Sequence, residues 1–222
     1  MWNFSELPVR GTVYGTLLNH RDALAALGDQ VNQVPYKAAP KAPILYIKPR
    51  NTIVGNGSSV VVPSDASELE IGATLGLVIG RTATKLSLSD AISYVAGYTI
   101  VNDISVPHAS FYRPSMRFKC RDGFCPIGPV VVPSQSIKDP DNLAITISVD
   151  DVVIQKTNTN NRIRSVAQLL VDVTDFMTLH PGDVLSIGVA ANAPLAKAGQ
   201  KVSIAIEGIG QLENTLVAEV LA

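Results

Sequence analysis

Short apolar segments separated by glycine and proline recur along this chain, and they constrain its fold more than any other feature. Segments of this length match β-strands, and glycine and proline between them favour turns. We therefore expect a fold dominated by β-structure. The segments predicted to be strands are residues 44–47, 60–62, 75–79, 98–101, 144–149 and 202–206.

Helical spacing of apolar residues is found in segments 21–27, 88–95 and 163–177. Ser87, with Asp90 three residues later, predicts the start of the second helix. In the third segment, six apolar residues fall on one face, which predicts packing against the core. These six are Ile163, Val166, Leu169, Leu170, Val173 and Met177. The turn at 180–183 is expected to lead into another strand.

Length and composition suit a globular chain with a large core, since the 222 residues are 46% hydrophobic and 17% charged. No fixed-period repeat or linker is evident, and segment 35–43 is the one connection rich in Pro, Ala and Lys. We expect lead-in strands and a short helix at 1–50, followed by a catalytic-type domain at 51–222.

Opposite charges nearly cancel, with 18 basic and 19 acidic residues, so the chain has no general field that would attract nucleic acid or an anionic membrane. No apolar run approaches the ~20 residues that span a bilayer. Segment 1–6 lacks the positive start and apolar stretch of a signal peptide. We therefore expect a cytoplasmic protein with no nucleic-acid or membrane partner.

Basic residues are instead concentrated in segment 111–129, which follows the polar pair Asn102 and Asp103. Because unpaired charges are costly to bury, the segment is interpreted as the wall of an anion-binding pocket. The alternative is a set of structural ion pairs, Lys119 with Asp122 and Arg121 with Asp103. Asp103 could also accept hydrogen bonds from nearby backbone amides. The charged residues are Arg113, Arg117, Lys119, Arg121 and Asp122, interleaved with Tyr112, Phe118 and Phe124.

The two cysteines, Cys120 and Cys125, lie in the same segment. Their surroundings supply too few ligands for a structural zinc site, so free thiols are expected. No histidine is placed in the sequence as an evident base for a cysteine nucleophile.

Several motifs together resemble the fumarylacetoacetate hydrolase family, in order and over nearly the whole chain. They are the sequences at 77–80, 96–103, 119–128, 181–183 and 207–210. Within that family, segments 46–52, 111–114 and 119–123 are most similar to the N-terminal unit of tandem enzymes. Those enzymes decarboxylate and isomerise products of 4-hydroxyphenylacetate and homoprotocatechuate ring cleavage.

The resemblance implies a multi-sheet β-roll with peripheral helices. It also implies that three carboxylates hold Mg²⁺ or Mn²⁺, which chelates a 2-oxo acid and stabilises its enolate. Asp103 would be one metal ligand, and Lys119 would add positive charge. Substrate carboxylates would be held by a group of side chains. That group is Tyr112, Arg113 and Arg121, and Asp122 is a further expected substrate-binding residue.

This chain departs from the family pattern at the other two metal positions, which fall on Gly72 and Thr74. Glu68-Leu69-Glu70 has the Glu-x-Glu spacing four residues upstream, but four residues of strand span ~13 Å, too far for a metal–oxygen bond. A bulge or a different register would be needed to bring these glutamates to the site. A second departure replaces the family's catalytic His and Glu, near Asn19, by alanine. His20 is then a candidate substitute base, or a capping or packing residue.

Three hypotheses follow. The chain could be a subunit of a decarboxylase/isomerase that depends on a homologous C-terminal-type partner, or it could form a homodimer. It could work alone as a metal-free isomerase, with Lys119 and Arg121 stabilising a dienolate and His20 or His108 moving the proton. It could also be a non-catalytic binding or scaffold protein. The expected substrate is a 2-oxo di- or tricarboxylic acid.

Overall fold

All six predicted strands are present in the computed structural model, which describes residues 9–108 and 115–220. These residues fold as a β-rich α+β structure, as predicted. The strands are β1 (Val13–Leu17), β2 (Ile44–Lys48), β3 (Ile53–Val54), β4 (Ser59–Val62), β5 (Leu69–Glu70), β6 (Ala73–Ile79), β7 (Val95–Asn102), β8 (Cys125–Pro133), β9 (Ala144–Val149), β10 (Val152–Asn158), β11 (Val184–Ser186), β12 (Leu195–Ala196), β13 (Lys201–Ile206) and β14 (Gly210–Ala218). The helices are α1 (Arg21–Ala25), α2 (Met116–Lys119) and α3 (Val166–Thr174), with 3-10 helices at Gly28–Asn32, Arg50–Thr52, Ala91–Tyr94 and Ser134–Ser136.

The strands form three sheets. The seven-stranded sheet has the order β2-β1-β11-β6-β7-β8-β3, the five-stranded sheet has the order β10-β9-β13-β14-β4, and β12 pairs with β5. β1 and β2, which fall within the expected lead-in at 1–50, are hydrogen-bonded members of the seven-stranded sheet. The turn at 180–183 leads into β11, as predicted.

Strand β6 lies in the middle of the larger sheet, and all seven of its residues are buried. Leu75, Leu77 and Ile79 belong to the main core, which also contains residues of the five-stranded sheet. Val78 points the other way and packs against Val101 in a second cluster. Because side chains alternate along a strand, Thr74 and Gly72 lie on the side of Val78. This second face of the sheet leads to the polar site described below.

Helix α1 agrees with the prediction, but the other two helices differ from it. The segment 88–95 contains only the 3-10 helix Ala91–Tyr94, because Val95 already pairs with Ile79 in the sheet. Helix α3 begins later than predicted because the Ile163 N–H donates to the carbonyl of Asn19, outside any helix. Its cap is Ser165, whose side chain accepts from Gln168 N. None of the helices in the described residues is long and apolar enough to span a membrane.

Candidate active site

A cleft of about 360 Å³ opens beside the ends of β2, β7 and α2. Its polar wall comes from elements that are distant in sequence but adjacent in the fold. Its apolar wall comes largely from α1 and from the segment after β11. The described residues that line it are Thr16, Leu17, Leu18, Ala23, Ala26, Leu27, Gln30, Tyr46, Glu70, Gly72, Asp103, Ser105, His108, Lys119, Val189, Ala190, Ala191, Asn192 and Ala193.

Asp103 is the central anion of this cleft, and its side chain is only 4% exposed. Nζ of Lys48 lies 2.7 Å from Oδ1, and Nζ of Lys119 lies 2.9 Å from Oδ2. The Tyr46 hydroxyl also donates a hydrogen bond to Oδ2. One buried carboxylate is therefore held by two ammonium groups and a phenol.

These contacts keep Asp103 ionised. Burial alone would raise the pKa of Asp103, but the nearby Lys119 and Lys48 ammonium groups and the Tyr46 hydroxyl hold that pKa well below the ordinary carboxyl value. The Tyr46 hydroxyl is affected in the opposite sense. Burial and the negative charge of Asp103 raise the pKa of Tyr46 well above its ordinary value, so the phenol stays protonated and remains a donor.

Lys48 is the most deeply buried cation of the site, with a side chain 1% exposed. Its ammonium group donates to the carbonyls of Ile104, Lys119 and Phe124, at 2.8, 2.8 and 2.9 Å. Burial lowers the pKa of Lys48, and the charge of Asp103 opposes that effect. Since the three protons of the ammonium group are directed at carbonyls, Lys48 ties the segments on both sides of Asp103 together without lining the cleft.

Lys119 is the one lysine or arginine among the described residues that line the cleft. It ends α2, and its ammonium group lies 5.0 Å from the centroid of the Tyr46 ring, within the range of a cation–π contact. The ion pair with Asp103 fixes its position. The cleft therefore presents a positive charge at a defined place in a partly desolvated wall.

Close packing around the site requires two glycines. A Cβ at Gly15 would lie 2.0 Å from the Tyr46 ring, and a Cβ at Gly72 would lie 2.3 Å from the Asp103 carbonyl oxygen. Any larger residue would displace the Tyr46 ring or the Asp103 backbone. Glycine at these positions is thus explained by space rather than by backbone conformation.

Of the two positions at which the family pattern implies metal-binding glutamates, Gly72 lies beside Asp103, and Thr74 lies opposite Val101 in the sheet. The Asp103 N–H donates to the Gly72 carbonyl at 2.9 Å, and the Thr74 hydroxyl donates to the Gly188 carbonyl at 2.9 Å. Neither position carries a carboxylate, and both Asp103 oxygens face ammonium groups. Within 9–108 and 115–220, no group of three or more His, Cys, Asp or Glu side chains is placed to hold a metal ion. These donors do not fit Mg²⁺ or Mn²⁺, which require several oxygen ligands.

Glu70, which the sequence analysis placed too far upstream to be a metal ligand, is a cleft residue. Its carboxylate accepts a hydrogen bond from the Ser105 hydroxyl at 2.8 Å. In the sequence, the alternation of side chains along a strand already indicates this position, because residues 70, 72 and 74 would share one side.

The second family departure is also located in the cleft. Ala23 and Ala26, at the positions where relatives are expected to carry His and Glu, line its wall. His20 is buried and not among the lining residues; its Nδ1 lies 2.6 Å from Oδ1 of Asp22. Its side chain does not cap α1. A catalytic role for His20 stays a prediction, without support from this geometry.

The other predicted substrate-binding residues lie apart from the cleft or outside the described residues. Arg121 forms an ion pair with Asp65 at 2.8 Å rather than with Asp103, and Asp122 accepts a hydrogen bond from Asn51. Neither lines the cleft. Tyr112 and Arg113 lie outside the residues that the structure describes, and their roles stay predictions.

Both cysteines are free thiols, as predicted. Cys125 is fully buried, and burial raises the pKa of its thiol to about 12. Cys120 is half-buried, and burial raises the pKa of its thiol as well. Neither thiol lines the cleft, so neither is placed as a nucleophile for a substrate there.

Two comparisons with solved structures support this architecture. The 5-carboxymethyl-2-hydroxymuconate delta-isomerase from Mycobacterium smegmatis superposes with a TM-score of 0.82 at 27% identity, over 99% of this chain and 86% of that one. The fumarylpyruvate hydrolase from Pseudomonas aeruginosa, in complex with Mn²⁺ and pyruvate, has a TM-score of 0.82 at 25% identity, over 96% of this chain and 91% of that one.

Comparison of amino-acid sequences also relates this chain to known enzymes. The bifunctional isomerase/decarboxylase of 4-hydroxyphenylacetate degradation from Escherichia coli is 41% identical over 211 residues, which are 95% of this chain but 48% of that protein. The chain thus spans about half the length of this relative. Residues 12–217 match the C-terminal domain of fumarylacetoacetate (FAA) hydrolase. With its β-rich fold and its Asp103–Lys119 cleft, the chain belongs to the fumarylacetoacetate hydrolase family.

Proposed function

We propose that this chain catalyses the isomerisation of 2-hydroxymuconate-type 2-oxo di- or tricarboxylic acids from 4-hydroxyphenylacetate or homoprotocatechuate ring cleavage. One observation carries the proposal: the Lys119 ammonium group lines the cleft and is fixed there by buried Asp103. A fixed positive charge in a site shielded from water stabilises an oxygen anion as it forms. Isomerisation of a 2-oxo acid passes through such an anion, its enolate.

The residues around Lys119 have distinct tasks in this proposal. Lys119 faces the 2-oxygen of the substrate, where negative charge develops when the 2-hydroxyl group loses its proton. Asp103 is a positioning residue, because its carboxylate orients the Lys119 ammonium group. Lys48 and Tyr46 in turn hold Asp103. Since these contacts exist before substrate binds, little reorganisation is needed during the reaction.

The remainder of the cleft fits the carbon chain of such a substrate. Leu17, Leu18 and Leu27 supply apolar lining. We assign the distal substrate carboxylates to Arg113 and Tyr112, which the family resemblance implicates. The apolar lining would then accommodate the carbon chain between Lys119 and the distal carboxylates.

We place decarboxylation on a homologous partner unit in a hetero-oligomer, because a second copy of this chain would lack the same two glutamates. One observation favours this division: Gly72 and Thr74 stand where the family pattern implies glutamates. The partner would hold the Mg²⁺ or Mn²⁺ that supplies Lewis-acid chemistry to decarboxylation.

The isomerase proposal is tested on the purified chain, after treatment with EDTA, by following the ultraviolet spectrum of 5-carboxymethyl-2-hydroxymuconate. We expect turnover that survives EDTA and is not increased by Mg²⁺. Substrate binding without turnover would instead favour a non-catalytic binding protein. Turnover that appears only when a homologous metal-carrying unit is added would favour the partner-dependent subunit.

Calorimetric titration with Mg²⁺ and Mn²⁺, alone and with 2-oxoadipate, tests the division of labour. We expect no metal binding by this chain in either condition. Micromolar metal binding that is lost in Asp103→Ala would contradict the division and show a working metal site built on Asp103.

A further inference from the structure

Glu70 and Asp103 are the two described carboxylates that line the cleft, and their surroundings differ. Asp103 lies between two ammonium groups, which keep it ionised. Glu70 accepts a hydrogen bond from the Ser105 hydroxyl, and the ion pairs among the described residues do not include it. A carboxylate in contact with a neutral donor is better suited to take up and release a proton than one that is neutralised by two cations.

The backbone holds Glu70 in place. Its N–H donates to the Ser105 carbonyl at 2.8 Å, and the Ser105 N–H donates to the Glu70 carbonyl at 3.3 Å. Ser105 itself is 2% exposed, so the hydroxyl that orients the carboxylate is fixed in the interior. The Glu70 side chain is thereby presented to the cleft from a paired strand rather than from a loose loop.

The spacing between Glu70 and the Asp103–Lys119 pair suits a small substrate. Gly72 pairs with Asp103, and Glu70 lies two residues before Gly72, which places it ~7 Å along the strand. Gly72 carries no side chain and also lines the cleft. A substrate whose 2-oxo oxygen faces Lys119 would therefore extend its next carbon atoms past Gly72 toward Glu70.

We propose that Glu70 is the catalytic group that moves the proton in the isomerisation, an inference that rests on the function proposed above. The 2-hydroxyl group of the substrate releases its proton to water, and the dienolate that results has its oxygen facing Lys119. The Glu70 carboxyl group, protonated from water, then gives its proton to a carbon of the conjugated system. A 2-oxo group is formed, one double bond has moved, the proton released to water balances the one taken up, and no oxidant or other reactant is consumed.

The two histidines considered from the sequence are less suited to this task. His20 lies beside Asp22, away from the cleft lining. His108 lines the cleft, but its Nδ1 lies 2.9 Å from the Val106 carbonyl, and its ring stacks on Phe118 with centroids 5.1 Å apart. These contacts hold the His108 ring as part of the wall.

The test compares Glu70→Gln with the wild-type chain and with Glu68→Gln, a matched change two residues away that does not touch the cleft lining. The glutamine keeps the size of the side chain and can still hydrogen-bond to Ser105. Isomerisation is measured together with deuterium uptake from D₂O into the carbon positions of 2-oxoadipate, by NMR, and with 2-oxoadipate binding, by calorimetry.

We expect Glu70→Gln to lower both kcat and the exchange rate by about 100-fold or more, with 2-oxoadipate affinity retained, while Glu68→Gln behaves as wild type. If Glu70→Gln does not fold, Glu70→Asp replaces it, and withdrawal of the carboxylate should lower kcat by about 10-fold or more. Wild-type rates in the folded Glu70 variant would overturn the role of Glu70 and leave the proposed function standing. Wild-type protein that neither isomerises nor exchanges would overturn both.

Discussion

Asp103 and Lys48 form an ion contact in the interior of the protein, with Nζ of Lys48 2.7 Å from Oδ1 of Asp103 and with side chains that are 4% and 1% exposed. Two charges at this depth are costly to desolvate, so such a contact is weak evidence for stability by itself. The three carbonyls that Lys48 also contacts give it a second task, because they connect the backbone on either side of the site.

Replacing Lys48 by methionine should destabilise the fold strongly. The change leaves Asp103 with one ammonium partner and leaves three carbonyls without their donor. We expect a loss of about 3–5 kcal/mol in the free energy of unfolding, measured by urea denaturation. Lys85→Met is the matched control, since Lys85 pairs with Asp175 at the surface, and it should change stability by less than ~1 kcal/mol. Equal effects of the two substitutions would contradict this role for Lys48.

Stability should fall in acid partly because of Asp103. Its pKa is held below the ordinary carboxyl value in the folded state, so below about pH 4 the unfolded chain binds a proton that the folded chain does not. Ionised Asp103 therefore contributes to the free energy of unfolding above that pH. This contribution is lost as the pH falls toward the pKa of Asp103 in the folded state. Urea denaturation from pH 7 to pH 2 should show a shallower acid decline in Asp103→Asn than in wild type. If the free energy of unfolding declined equally with falling pH in both proteins, Asp103 would not be the carboxyl group whose pKa is lowered by folding.

A side chain at Gly72 should be poorly tolerated. The Cβ of Gly72→Ala would lie 2.3 Å from the Asp103 carbonyl oxygen, and backbone cannot move aside cheaply. We expect a loss of about 1–3 kcal/mol by urea denaturation, together with weaker 2-oxoadipate binding. Thr74→Ala is a useful comparison in the same strand, because it removes one hydrogen bond without adding volume. A Gly72→Ala variant as stable as wild type would show that the strands can separate here.

The thiols should differ in reactivity. Cys125 is fully buried and its pKa is raised to about 12, so in the native state at pH 8 it should not react with Ellman's reagent. Cys120 is half-buried and should account for any native labelling, at a slow rate. In urea both should react. Native labelling that persists in Cys120→Ser would contradict the burial of Cys125.

The strands were predictable from sequence because their apolar segments are short and clearly bounded. The helices were less so: apolar spacing at 88–95 matches a helix, yet the pairing of Val95 with Ile79 takes that residue into the sheet. Local propensity is overridden here by a tertiary contact that the sequence does not display. The start of α3 was missed for the same reason, since the Ile163 backbone pairs with Asn19.

The site was predictable in part. Asp103 and Lys119 were identified through the family resemblance, and they lie 2.9 Å apart in the cleft. Arg121 was grouped with them because it is close in sequence, but its side chain pairs with Asp65. Lys48 was missed because a lysine in an apolar strand is normally taken to face solvent. Its neighbour Ile47 is 53% exposed instead. The usual pattern of a buried isoleucine and an exposed lysine is thus reversed here, which only the fold reveals.

The central claim, that the Lys119 ammonium group stabilises the enolate, is tested most directly by the kcat of Lys119→Met on 5-carboxymethyl-2-hydroxymuconate. Lys138→Met, at an exposed lysine, serves as the control. We predict that Lys119→Met lowers kcat by about 100-fold or more, as expected for the loss of a group that stabilises an oxyanion, while the control is unchanged. A folded Lys119→Met protein with wild-type kcat would contradict the account.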